Sequence, residues 1–328
     1  MLLPKPTISI ALFVWTVWFT FLGYASAFSH LIQNWEITVT MMFGSIIAGA
    51  TSLGGGAVAF PIFTKVLQIP PPDAKTFSLA IQAVGMSAAA GTIYLTKIPV
   101  EWRVIRWGSL GGIVGIYLSL TAIAPALPPD LIRMSFTMML ASFAITLLAL
   151  NARKRYPCSQ LPTWGTREKQ LFFLMGIIGG IMSGLVGNGI DIILFSVMVL
   201  LFKVSEKVAT PTSVILMAFN AVIGFGLQFF LLQDFSLPIQ NYWLAAIPVV
   251  VIGAPVGALF CNALPRQMIA NCLIGLIAIE VLSSIILIPL RPIIIYTSLL
   301  TLLLFSSFNY WMSRRPIQSL IPQENAHL

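Results

Sequence analysis

The chain has 328 residues, of which 58% are hydrophobic and 9% charged, and its mean hydropathy is +0.94. A soluble domain carries about 25% charged residues, so this composition excludes one and points to a polytopic membrane protein. The formal charge of +8, from 18 Lys and Arg against 10 Asp and Glu, does not read as a nucleic-acid surface: the basic residues fall in short loops between apolar runs, where they set topology.

In chain order, Lys5 precedes an apolar run from Ile8 to Tyr24, and Ala25-Ser26-Ala27 resembles a signal-peptidase site. The run exceeds the h-region of about 7–15 residues found in a cleaved leader, so an uncleaved anchor helix is expected. A polar stretch from His30 to Glu36 follows, and then a hydrophobic segment over 37–69, broken by Gly44, Gly49 and the run Gly54-Gly55-Gly56. Spans are expected at 74–96, 103–124 and 130–150, ahead of a basic stretch with Arg153, Lys154, Arg155, Arg167 and Lys169. The pattern then restarts with a second broken segment over 170–202, centred on Gly187-Asn188-Gly189, and spans at 207–232, 240–262 and 266–288. A last helix at 292–312 precedes Arg314 and Arg315, and 320–328 reads as a frayed polar tail. The expected division is an anchor helix and loop (1–36), a first repeat (37–150), a basic cytoplasmic linker (151–169), a second repeat (170–289), and a C-terminal helix and tail (290–328).

The duplication is carried by particular residues. Gly54, Gly55 and Gly56 correspond to Gly187, Asn188 and Gly189, Ala74 and Ser78 to Ala209 and Ser213, and Ala-Leu-Pro at 126–128 returns at 263–265. Gly111 and Gly115 return as Gly253 and Gly257, a spacing of four that lets helices approach closely in lipid.

Positive charge then tests whether the broken segments cross the membrane. If every segment crosses, the 18 Lys and Arg divide nine and nine, which is unusual for a membrane protein. If both broken segments enter and leave on one side, 14 share a face and only Lys65, Lys75, Arg133 and Arg291 remain on the other. Making only the second re-entrant gives 13 to 5, so symmetry, not charge, argues for the first. The expected fold is an all-α polytopic protein of two inverted repeats. Each repeat is a re-entrant broken-helix hairpin plus three transmembrane helices, an extra helix sits at each end of the chain, and both termini are cytoplasmic. A half-segment of about 14 residues spans about 21 Å, enough to pass the middle of a hydrocarbon core about 30 Å thick, so the two glycine tips can meet.

A helix that starts at such a break presents free N–H groups and the positive end of its dipole. Two starts, near Gly56 and Gly189, would cradle an anion without a charged side chain, with Ser52, Gly54, Gly55, Ser183, Gly187 and Asn188 around them. The plainer reading is that the glycines only permit tight helix contact. Ser78, Gln82, Thr212, Ser213 and Asn220 are polar positions on the apolar spans after each break. For Gln82 and Asn220, pore lining and interhelical hydrogen bonding stand side by side, whereas the hydroxyls more often bond a carbonyl of their own helix. Asp191, just inside the second half-helix, reads either as a cap on the dipole or as a coupling or gating acid. Glu280, midway along its span, reads as a proton carrier or as a neutral acid hydrogen-bonded between helices.

Two glycine-rich breaks, each followed by an Ala- and Ser/Thr-containing span in a four-plus-four duplication, resemble the sulfite exporter TauE/SafE family of membrane permeases over about 37–289. The resemblance implies a permease for sulfite, sulfonates or another organosulfur or organic anion, driven by an ion gradient such as protons, in a bacterial-type plasma membrane. Asn188 and Asp191 depart from the family's glycine-rich pattern.

Other classes are weaker. Ser183-Gly184 superficially resembles a membrane serine protease, but such chemistry needs a base, and His30 and His327, the two histidines, lie outside the repeats. There is no HExxH motif, and Cys158, Cys261 and Cys272 have no metal-site spacing, so no catalytic residue, metal or cofactor is assigned. A passive channel does not suit a central site between inverted repeats; an assembly or scaffolding protein with short loops is the remaining alternative.

Overall fold

The computed structural model describes residues 4–51, 53, 63, 67–151, 158–289 and 291–314. Among them are twelve α-helices: α1 Lys5–Leu22, α2 Tyr24–Gln33, α3 Trp35–Ala50, α4 Pro71–Leu95, α5 Trp102–Leu118, α6 Pro129–Asn151, α7 Thr166–Val186, α8 Ile190–Ser196, α9 Glu206–Gly226, α10 Leu237–Ala263, α11 Arg266–Leu287 and α12 Pro292–Arg314. Nine helical stretches, built on α1, α4–α7 and α9–α12, are long and apolar enough to cross a membrane, so the chain is a multi-pass membrane protein. The expected spans fall on these helices within a few residues. The expected polar loop around His30–Glu36 does not form: α2 starts after a kink at Gly23 (φ +73°) and runs to Gln33, and α3 starts at Trp35.

Helix α5 is prolonged by a π-helical turn over Ser119–Ile123, α8 by one over Val197–Leu201 and α9 by one over Leu227–Leu232. Pro248 sits inside α10 and lacks the N–H that would bond the Leu244 carbonyl. In an apolar interior that carbonyl needs a donor, and the Trp18 indole on α1 supplies it at 2.9 Å. Trp15 donates to the Pro248 carbonyl at 3.0 Å, so α1 is keyed to α10 at two carbonyls.

Glycines fix the remaining helix pairs. A Cβ at Gly111 would collide with the Phe173 carbonyl, one at Gly115 with that of Ile177 and one at Gly180 with that of Gly112, so α5 and α7 run parallel in backbone contact. The pairing recurs elsewhere in the molecule. A Cβ at Gly257 would meet the Ile46 carbonyl and one at Gly49 the Ala254 carbonyl, while one at Gly253 would stand 3.3 Å from the Met42 carbonyl, so α3 and α10 also run parallel. The glycine helix of each half therefore packs on the broken helix of the other half, and Gly111 and Gly115 play the parts of Gly253 and Gly257.

Helix α8 doubles back. Ile190 lies against Gly179 and Gly112, Leu194 against Gly108 one turn earlier on α5, and Phe202 stacks on Phe172 near the start of α7 with ring centroids 5.4 Å apart. The chain thus returns along α7 to the end from which α7 set out. On the other side of the molecule α4 is parallel to α10, with Trp243 donating to the Ala80 carbonyl at 3.0 Å and Val250 against Gly85. Because α3 is parallel to α10 as well, α3 and α4 point the same way, and α4 begins at the end of the bundle where α3 begins. Helix α9 is parallel to α5 and antiparallel to α4: Thr212 meets Glu101, Asn220 meets Gly112, and Gln228 meets Thr76.

Candidate functional site

The second break is built by two glycines in conformations that a side chain opposes. Gly187 closes α7 at φ +94°, its N–H donating to the Ser183 carbonyl at 2.8 Å, and Gly189 precedes α8 at φ +151°. Between them Asn188 is 4% exposed, and its Nδ2 donates to the carbonyl of Leu53 at 2.8 Å. Leu53 is itself buried and immediately precedes Gly54. A hydrogen bond across 135 residues thus ties the tip of the second broken segment to the start of the glycine run of the first.

The helix start at α8 holds its own acceptors. The Ile190 N–H donates to Ser183 Oγ at 3.1 Å and the Gly189 N–H to Asp191 Oδ1 at 2.9 Å. The open cradle expected at Gly189 is therefore filled in this conformation, with the Asp191 carboxylate standing where an anion's oxygen would sit. Asp191 is 1% exposed and its Oδ2 has no hydrogen-bond partner.

Around the tip the structure gathers some of the expected polar residues and not others. A Cβ at Gly187 would stand 3.0 Å from the Ser78 Cβ, and Ser78 Oγ in turn accepts from Gln82 Nε2 at 2.6 Å. Asn220 lies against Gly112, next to Ile190, buried and with neither side-chain polar atom hydrogen-bonded. Two unpaired polar atoms in an apolar wall need a visitor or water. Thr212 and Ser213 stay away from the tip: Thr212 bonds the Val208 carbonyl at 2.6 Å and receives the Glu101 N–H at 2.9 Å, and Ser213 bonds the Thr210 carbonyl at 2.8 Å. Both are spent on helix and loop hydrogen bonds. Glu280 lies between α6 and α11, accepting from Ser284 at 3.3 Å and Thr137 at 3.5 Å, in the electrostatic field of Arg133. Ser52, Gly54, Gly55 and Gly56 lie outside the described residues.

Two basic residues that the sequence reading used only as topological charges belong to this region. Lys75 and Arg133 line a cavity of about 320 Å³ together with Asp130, Asp234 and Val186, the residue before Gly187. On α4, Lys75, Ser78 and Gln82 follow one another at helical spacing, a stripe readable in the sequence.

The opposite end of the second hairpin is closed. Helix α8 and its π-helical turn are buried throughout, from Ile190 to Leu201. The linker crosses beside them: the Cys158 N–H donates to the Lys203 carbonyl and the Ser205 N–H to the Cys158 carbonyl, both at 2.9 Å. Glu101 accepts from the Leu161 N–H at 3.0 Å and pairs with Arg103 Nε at 2.7 Å, while Arg103 lies 5.2 Å from the Trp164 ring centre.

No curated protein and no solved structure matches the chain. A family model does: that of the sulfite exporter TauE/SafE family covers residues 37–284, from early α3 to the last turn of α11. With most of its length matched, the chain belongs to the TauE/SafE family of membrane permeases.

Proposed function

We propose that this permease is a secondary transporter of a small anion, sulfite, a sulfonate or a related organosulfur or organic anion, working by alternating access around the two helix breaks. The observation that carries the reading is the bond from Asn188 to the Leu53 carbonyl, which joins the breaks of two repeats inside a membrane bundle. Substrate sites of repeat-built transporters lie at such junctions of discontinuous helices.

Helix directions support an inverted pair of re-entrant hairpins, over 37–150 and 170–289. A first broken segment that crossed the membrane would make α3 and α4 antiparallel, yet both run parallel to α10. That favours the partition of 14 basic residues to 4 over 13 to 5. In this reading the face with 14 is cytoplasmic, both termini lie there, and the membrane is a bacterial-type plasma membrane.

Binding then works by exchange. Asp191 satisfies the start of α8 in the absence of substrate, and a proton on its carboxyl frees those N–H groups for an oxyanion, which couples transport to protons. Ser183, Asn188, Ser78, Gln82 and Asn220 supply neutral hydrogen bonds around the anion. Uptake of sulfite, sulfonates and small carboxylates into proteoliposomes, with and without a proton gradient, tests the reading. Movement of at least one of these anions is expected, and movement of none under any gradient sinks it.

A further inference from the structure

Beyond the site at the tips, we infer that the cavity lined by Lys75 and Arg133 is a second, outer binding site for a small oxyanion, which loads the tip from the face opposite the basic linker. This rests on the reading of the chain as an anion transporter and adds a site to it.

The charges of the cavity are layered. Asp130 and Asp234 are exposed at its rim, whereas Lys75 is half-buried and Arg133 only 8% exposed. Water screens the rim carboxylates more than the inner cations, so the floor is positive even though the four charges sum to zero. Asp234 acts on Lys75, Asp130 and Glu280 act on Arg133, and Glu280 lies behind Arg133, held by Thr137 and Ser284. The acids are counter-ions that an arriving oxyanion displaces at the rim, and Glu280 keeps Arg133 paired when no anion is present. An ammonium point charge and a planar guanidinium together suit an oxyanion with several acceptor oxygens.

The floor of the cavity leads to the tip. Val186 lines it, and a Cβ at Gly187 would stand 3.3 Å from the Lys75 carbonyl and 3.1 Å from Ser78 Oγ. An anion held at Lys75 therefore has Ser78 one turn inward, and Gln82, bonded to Ser78, one turn further. The stripe on α4 connects the outer site to the tip without a second charged step.

The test is sulfite, measured two ways on the full-length protein: equilibrium binding in detergent at low salt, and initial uptake rates in proteoliposomes. Lys75→Gln is expected to raise Kd and KM about tenfold and flatten their salt dependence while kcat stays within about twofold, and Lys75→Arg, which keeps the charge, should keep that salt dependence and recover most of the loss. Arg133→Gln alone strands Glu280, so it is paired with Glu280→Gln, and the double variant should raise KM in the same way. Unchanged Kd and KM in Lys75→Gln, or a loss that falls on kcat alone, overturns the outer site. If wild type moves sulfite and Lys75→Gln moves it with an unaltered KM, the outer site fails and the transporter stands. If wild type binds sulfite through Lys75 but moves no anion, the transporter reading fails and the site stands; if it neither binds nor moves sulfite, the outer site falls, and the transporter reading falls with it when sulfonates and small carboxylates are not moved either.

Discussion

The seam between α5 and α7 and the seam between α3 and α10 solve one packing problem with different amounts of glycine. In the second, Gly49, Gly253 and Gly257 are the glycines seen in contact among the described residues, with Ser45 and Ala254 opposite them. In the first, Gly108, Gly111, Gly112, Gly115, Gly176, Gly179, Gly180 and Gly184 all approach a neighbour closely. The surplus has a cause: Gly108, Gly112 and Gly179 also touch Leu194 or Ile190 of the returning helix α8. Two helices in backbone contact need a glycine about once per turn from either side, and a third helix pressed into the same groove needs the intervening positions emptied too.

Both seams are most vulnerable at the contacts they share. Gly115→Leu and Gly257→Leu each drive a side chain into a carbonyl, of Ile177 and of Ile46, and each is expected to cost about 3 kcal/mol or more. Size-exclusion profiles after graded heating should show equal losses. A tolerated Gly257→Leu beside an intolerant Gly115→Leu would mean that the seams are not equivalent.

Asn188→Leu comes next. It leaves the buried Leu53 carbonyl without its donor, a loss of about 1–3 kcal/mol, and unties the Gly187–Gly189 turn from Leu53. Anion uptake should drop at least about tenfold, the equivalent of about 1.4 kcal/mol, with most of the protein still folded. Full uptake by this variant would show that the joined tips are not needed for transport.

A smaller effect separates the two acids. Asp191→Asn is expected to remove the proton dependence of uptake while keeping a side-chain acceptor for the Gly189 N–H, and Glu280→Gln to leave that dependence intact. Flux measured across imposed proton gradients decides, and the reverse pattern would move coupling to the Glu280 and Arg133 pair. The smallest change is Ala254→Gly, which gives the α3 and α10 seam a glycine that no third helix uses. It should cost about 0.5–1 kcal/mol through backbone freedom alone, visible as a slightly lower Tm. A gain in stability would show that this seam is also short of space.

Much of this was legible in the chain. The spans could be read because lipid demands long apolar helices, and the paired glycines announced both seams before any partner was known. Which helix each seam joins was not legible, because Gly111 and Gly253 have the same spacing whatever they face. The tip was half legible: Gly187 and Gly189 marked the turn, but the pairing of Ser183 with Ile190 and of Asp191 with Gly189 depends on the positive φ of Gly189, which spacing does not reveal. That φ also makes Gly189→Leu costly to folding: a Cβ there stands 2.6 Å from that of Met182 in a strained backbone. The run from His30 to Glu36 looked like a loop because His30, Gln33, Asn34 and Glu36 are polar, but Asn34 leaves only a single-residue break between α2 and α3.

The exchange of partners between the halves bears on how the chain is made. Helix α5 emerges from the ribosome with its glycine face bare and stays so until α7 follows, and the glycines of α10 reach α3 only after most of the chain has been synthesised. Neither half owns a finished seam. Insertion can therefore run ahead helix by helix, but consolidation has to wait for the second half. Two separately expressed halves would each be a waiting template for the other, not a smaller version of the same protein.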